Sequence, residues 1–237
     1  MMNRTMKLLM LSDIFVLTGF GLIQPILAIY INEGGVAGGT ILTAGIASAL
    51  FMLIKSLVQL PFGHYVDGQD GKTRWLIAGT VLMAAVPVIY VTAHSIYQVY
   101  LAEIVYGLGS GLAYPTWLGL WSANLDRGKE SFQWSVYSTS TGLGTAATGA
   151  AGAAVASVVG FSATFFLAGL LCLLGCLALL IMGQKGTKAK AAENLGGEAR
   201  FRRPRQSSAS SLCAMIFMDS EILLRSCSFI FKGSKDL

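Results

Sequence analysis

Six apolar runs, each long enough to cross a bilayer, fill the first 183 of the 237 residues, and most of the charged side chains fall between them. A spanning helix needs about 20 mainly apolar residues. In hydrocarbon every backbone N–H and C=O must be satisfied within the segment, so runs of this length can only be helices. The runs are Leu8–Ile31, Ile41–Gly63, Trp75–Ala93, Ile96–Trp121, Phe132–Val159 and Phe161–Met182. A chain that is 54% hydrophobic and 12% charged lies far from soluble composition. The sequence therefore predicts an all-α membrane protein with six transmembrane helices. The first run continues well past a signal-peptide core without a small-residue cleavage site, which makes it a retained helix.

Positive charge sets the expected orientation, because cytoplasmic loops retain lysine and arginine. Arg4 and Lys7 precede the first run, Lys72 and Arg74 follow the second, Arg127 and Lys129 follow the fourth, and Lys185, Lys188 and Lys190 follow the sixth. The alternate loops, Asn32–Thr40, His94–Ser95 and Gly160, contain neither residue. Both termini are expected to be cytoplasmic, in a multi-pass protein of the cell membrane. Residues 1–183 form the six-span domain in this reading. Residues 184–237 form a basic, flexible cytoplasmic tail whose apolar runs LCAMIFM and ILLRSCSFIF are too short to span.

Within the runs, one framework occurs twice at a spacing of 90: Asp13, Gly19, Gly21, Leu22 and Pro25, then Glu103, Gly109, Gly111, Leu112 and Pro115. A carboxylate in hydrocarbon is costly and marks a functional position by default. Glycine and proline inside a spanning helix mark close packing or a break. At the same spacing Ala78–Gly79 matches Ala168–Gly169. Three spans repeated put the second unit into the membrane from the opposite side, so the expected architecture is two inverted three-helix repeats. Asp13 then lies about 8 Å inside the cytoplasmic end of its helix, and Glu103 a similar depth from the outer end.

The polar groups divide the helices. The third and sixth runs carry no charged side chain and are expected to face lipid, whereas the first, second and fourth hold Asp13, Gln24, Lys55, Gln59 and Glu103 and are expected to be inner helices. The fifth, rich in Ser, Thr, Gly and Ala, is expected to lean on neighbours along its whole length. Lys55 has two readings, pairing with Asp13 or snorkelling to the interface. Gln24, Gln59, Tyr114 and Trp117 are candidates to line a solute path, although aromatic residues also serve as interface anchors. Cys172 and Cys176 read as small packing residues, Cys213 and Cys227 lie far apart in the tail, and no disulfide is assigned.

After the second run comes GHYVDGQDGKTRW, in which Gly63, Asp67, Gly71, Lys72 and Arg74 form a turn bearing an acid and two bases. This loop, with the repeated glycine framework and the span count, resembles the major facilitator superfamily of secondary transporters, whose six-helix half is built from two inverted three-helix units. The second glycine falls one place late against the superfamily signature, and Gly68 stands where a base is common. The fourth run has Glu103 where members often place arginine. GFGLIQPILA in the first run resembles the corresponding helix of the drug/proton antiporter branch, but the fifth run lacks that branch's Gly-Pro pair.

The resemblance implies secondary active transport of a small solute, possible coupling to protons through Asp13 or Glu103, and a second six-helix half or a homodimer partner to complete the path. It covers residues 1–183, one half of such a transporter, so a half-size or truncated protein is expected. The alternative is a non-transporting assembly or regulatory subunit that uses the small-residue fifth span. Intramembrane serine hydrolysis is not expected, since the serine setting is GLGSG and His64 and His94 lie at span ends. No phosphate loop, metal cluster or nucleic-acid motif stands out, so the sequence calls for no cofactor, metal or nucleic-acid partner.

Overall fold

The computed structural model describes residues 3–33, 36–69 and 71–195, with side chains as far as 183. Six helices follow one another: α1 (Arg4–Glu33), α2 (Ile41–Asp67), α3 (Lys72–Val91), α4 (Ile96–Ala123), α5 (Glu130–Val158) and α6 (Phe161–Leu195). Among the described residues there is no strand, only an isolated bridge between Ala37 and Ser95. The compact unit that ends at Lys190 holds the helix contacts and the candidate site. The tail beyond residue 195, with Cys213 and Cys227, lies outside the described residues.

Four helices, α1, α2, α3 and the Phe161–Gly183 part of α6, are long and apolar enough to cross a membrane. The other two expected spans, α4 and α5, have the length, at 28 and 29 residues. Their sequences are diluted by glycine, serine and threonine, together with Gln98 and Glu103 in α4.

Local chemistry explains the helix ends. Thr40 opens α2 with a reciprocal cap, its Oγ1 accepting from the Thr43 N–H at 3.1 Å while Thr43 Oγ1 accepts from the Thr40 N–H at 2.8 Å. At the start of α4 the Gln98 side chain accepts from the His94 and Ser95 N–H groups. Two residues, Val159 and Gly160, separate α5 from α6. The φ of Gly160, +102°, is a conformation open to glycine. Pro25, Pro61, Pro87 and Pro115 all lie inside helices, and α1 and α4 run through theirs uninterrupted.

Helix packing is closest at glycine. A Cβ at Gly19 would stand 2.9 Å from the Ala168 carbonyl oxygen of α6, and one at Gly109 would stand 2.8 Å from the Gly79 carbonyl oxygen of α3. Gly21 meets Thr145 and Thr148 of α5, while Gly111 meets Lys55 and Val58 of α2. Each residue in the second contact of the α5/α2 pair differs by 90 from its counterpart in the first. The α1·α5 and α4·α2 packings therefore use the same register, read from the same glycine of the repeated framework.

The loops sort into two groups. The Ala37 N–H donates to the His94 carbonyl at 2.9 Å and the Ile96 N–H to the Ala37 carbonyl at 3.0 Å, joining the α1–α2 and α3–α4 connections. Asn3 donates to Asn124 at 3.0 Å, joining the N-terminal segment to the α4–α5 connection. On α6, Phe166, Leu170, Leu173 and Leu177 are exposed, as on a lipid-facing helix. As expected, α5 leans on a neighbour along its length, but by one face. It packs mainly on α1 and buries Gln133, Tyr137, Thr141 and Gly152, leaving Ser135, Ser138, Thr139, Gly142 and Ala146 exposed. Small residues surround this helix on every side, so one stripe suffices for contact and the rest stays open.

Gly79→Ala tests this packing. Its methyl group would lie 2.6 Å from the Gly109 carbonyl oxygen and 2.7 Å from the Ala113 nitrogen, both backbone atoms. The substitution is expected to cost about 1–3 kcal/mol, lowering the thermal midpoint of the purified protein. Gly45→Ala, with no atom within 4 Å of the new methyl, is expected to leave the midpoint unchanged or raise it.

Candidate functional site

Helices α1, α2 and α4 meet through aromatic rings. Tyr106 of α4 stacks on Phe20 of α1 at 4.0 Å between centroids and on Phe51 of α2 at 4.2 Å, with interplanar angles of 7° and 15°. One turn beyond Phe51, Lys55 is buried at 6% exposure. Its Nζ lies 5.0 Å from the Tyr114 ring centroid and 5.9 Å from that of Phe51, within cation–π range. Of the two readings of Lys55, full exposure of the head by snorkelling does not describe this burial. The three helices meet at this stack, but the expectation that α2 is an inner helix is corrected: it packs on α4 by one face, buries Ala44, Ala47, Lys55 and Val66, and leaves Leu42, Leu53, Leu57 and Leu60 exposed.

Glu103 is 2% exposed. A buried carboxyl group needs a hydrogen-bond partner, and the Tyr90 hydroxyl of α3 donates to Glu103 Oε1 at 2.9 Å. Tyr90 is itself held from α1. The Tyr30 hydroxyl lies within hydrogen-bond distance of two carbonyls at the end of α3, that of Tyr90 at 2.9 Å and that of Ala93 at 3.1 Å, and its one proton ties α1 to this turn. Phe165 of α6 packs on both tyrosine rings. Four helices thus converge around one carboxyl group.

Asp13 is placed differently. It is half-buried on α1 and accepts a hydrogen bond from the Tyr137 hydroxyl of α5. Tyr137 belongs to a ring cluster with Trp117, Trp121 and Trp134. Trp117 Nε1 approaches the Leu9 carbonyl at 3.5 Å, so this candidate path residue is packed at 4% exposure beneath Asp13. Gln24 is exposed, and Gln59 and Tyr114 are half-buried. Asp13 and Glu103 occupy equivalent places in the repeated framework yet take their donors from different neighbours, α5 and α3.

In the loop after α2, Lys72 Nζ reaches Asp67 Oδ1 at 3.4 Å. A Cβ at Gly119 of α4 would lie 3.7 Å from that Nζ, so the ion pair sits against the last turns of α4. Gly63 faces Pro115 across the α2·α4 contact. Gly71 provides the N-cap of α3, and Arg74 lies in its first turn.

Sequence reasoning did not find Tyr90, Tyr137 or Tyr30. A tyrosine in an apolar run reads as an interface anchor, and its pairing with an acid on another helix leaves no spacing to detect. The only available signal was the acid itself, which requires a donor from some neighbour.

The Tyr90–Glu103 bond can be measured. Tyr90→Phe strands a buried carboxyl group and is expected to cost about 1–3 kcal/mol of stability. Combining it with Glu103→Leu removes the stranded group, so the double variant should unfold at a higher temperature than Tyr90→Phe alone. A double variant less stable than Tyr90→Phe would contradict the pairing.

Comparison with known proteins fits this geometry. Quinolone resistance protein NorA of Staphylococcus aureus strain Mu50 is 24% identical over 119 residues, which cover 50% of this chain and 30% of that protein. The NorA of strain N315 matches to the same extent. The crystal structure of an auto inhibited POT family peptide transporter superposes with a TM-score of 0.63 at 14% identity, over 86% of this chain and 40% of that one. The chain thus spans less than half the length of these relatives. The family model of the Major Facilitator Superfamily matches residues 9–231, and the chain, a multi-pass membrane protein, belongs to that superfamily.

Proposed function

We propose that this chain is one six-helix half of a secondary active transporter for a small solute, resident in the cell membrane with both termini cytoplasmic. In this reading all six helices span, and α1–α3 and α4–α6 are two units of opposite orientation. The recurrence of the glycine contacts at a spacing of 90 supports that repeat. The pairing of the α1–α2 connection with the α3–α4 connection, and of the N-terminal segment with the α4–α5 connection, supports the alternation of sides.

The observation that carries a coupling role is Glu103. An ionisable group this deeply buried, on an inner helix and one turn from the Phe20–Tyr106–Phe51 stack, is expensive to retain unless it acts. Glu103 takes up and releases a proton during the cycle, with Tyr90 holding the carboxyl group in place. Asp13 is the second proton site. Gln24, Gln59 and Tyr114, which keep exposed surface, line the solute path, while Trp117 supports Tyr137 from below. A second six-helix half or a second copy closes the open faces of α2 and α5.

A second reading rests on the exposed small-residue face of α5: a non-transporting membrane subunit that binds its partner there. Reconstitution separates the two. The full chain is placed in vesicles alone and with the part of NorA beyond the matched stretch. Uptake of a fluorescent quinolone and of a fluorescent dipeptide, the solutes suggested by the relatives' names, is then followed under a proton gradient. Flux on pairing that falls to background in Glu103→Gln is the expected result. Flux that survives Glu103→Gln removes Glu103 from coupling, and association without flux favours the subunit.

A further inference from the structure

An open cavity of about 540 Å³ lies where α2 passes into α3, lined by Tyr65, Gly68, Gln69, Gly71, Arg74, Trp75 and Ala78. Both helices are apolar enough to cross a membrane, so the connection between them lies at one bilayer surface. Tyr65 and Trp75 pack edge to face at 5.9 Å, and Phe62 packs on both rings. Aromatic rings of this kind sit at the level of lipid headgroups.

The two bases of this loop are used differently. Lys72 turns toward Asp67 and α4, whereas the exposed Arg74 lines the cavity. Gly71, the N-cap of α3, has no side chain with which to occupy the first-turn N–H groups beside the cavity. A guanidinium group is suited to two-point binding of phosphate oxygens, and the Gln69 amide adds a neutral donor.

From this arrangement we propose that the cavity binds the phosphate headgroup of an anionic phospholipid. Arg74 pairs with the phosphate, and Tyr65 and Trp75 flank the glycerol and the upper acyl chains. Basic pockets at the membrane surface recognise anionic headgroups in this manner. A lipid, rather than dissolved phosphate, fits the site because Trp75 and the apolar Ala78 continue from the arginine along α3 and Tyr65 of α2 faces Trp75 across the cavity's lining.

Tryptophan quenching tests the assignment. The full chain is reconstituted in phosphatidylcholine vesicles containing either brominated phosphatidylglycerol or brominated phosphatidylcholine. The Trp75 component is obtained by difference from Trp75→Phe. Brominated phosphatidylglycerol should quench it preferentially, and Arg74→Gln should reduce that preference about tenfold, with Arg74→Lys in between. Equal quenching by the two lipids, or a preference that survives Arg74→Gln, would overturn the proposal. Inorganic phosphate is titrated onto the detergent-solubilised protein as the other arm. A saturable Trp75 response there would identify a site for soluble phosphate and also overturn it.

Discussion

Close contact at four glycines holds the arrangement of the two central helices. Inside a bilayer there is little hydrophobic drive for one apolar helix to leave lipid for another, so association depends on close packing and on hydrogen bonds across the contact. Gly19 and Gly21 bring α1 against α6 and α5, and Gly109 and Gly111 bring α4 against α3 and α2. Several of these approaches are to carbonyl oxygens or Cα-level atoms, where a neighbouring rotamer change could not make room. Once the four glycines are seated, each central helix is fixed against two neighbours, and its remaining faces are directed toward the stack of Phe20, Tyr106 and Phe51.

The packing recurs at a spacing of 90, but the chemistry carried on it does not. Asp13 and Glu103 occupy matching places, one half-buried beside Tyr137 and the other almost wholly enclosed beside Tyr90. Position 145 is threonine where position 55 is lysine, so the contact at Gly21 is neutral and its counterpart at Gly111 lies beside a cation. A repeated scaffold with unlike polar groups gives two environments from one geometry. That asymmetry is the basis for placing the coupling role first on the more enclosed Glu103 and second on Asp13.

Much of this was legible in the sequence. Run length and the position of lysine and arginine indicated a helical membrane protein, and the loop from Gly63 to Arg74 with the glycine framework indicated the superfamily. The framework also marked the glycines that make the close contacts, because small residues in a spanning helix have few other uses. Other features were not legible. The donors to the acids come from α3 and α5, across distances in the chain that no periodicity encodes. The tryptophan cluster around Tyr137 brings together residues of α4 and α5 that singly resemble interface anchors. The open face of α5 was not legible, because a run of Ser, Thr, Gly and Ala marks where helices can approach, without saying how many do.

The recurrence of packing is tested most directly by paired cysteines in native membranes, on a background without the native cysteines. Gly21→Cys with Thr148→Cys probes α1 against α5, and Gly111→Cys with Val58→Cys probes the equivalent α4 against α2. Mild oxidation should cross-link both pairs at comparable rates, while each cysteine paired one helical face away should stay reduced. Cross-linking of one pair without the other would contradict a common register for the two halves of the fold.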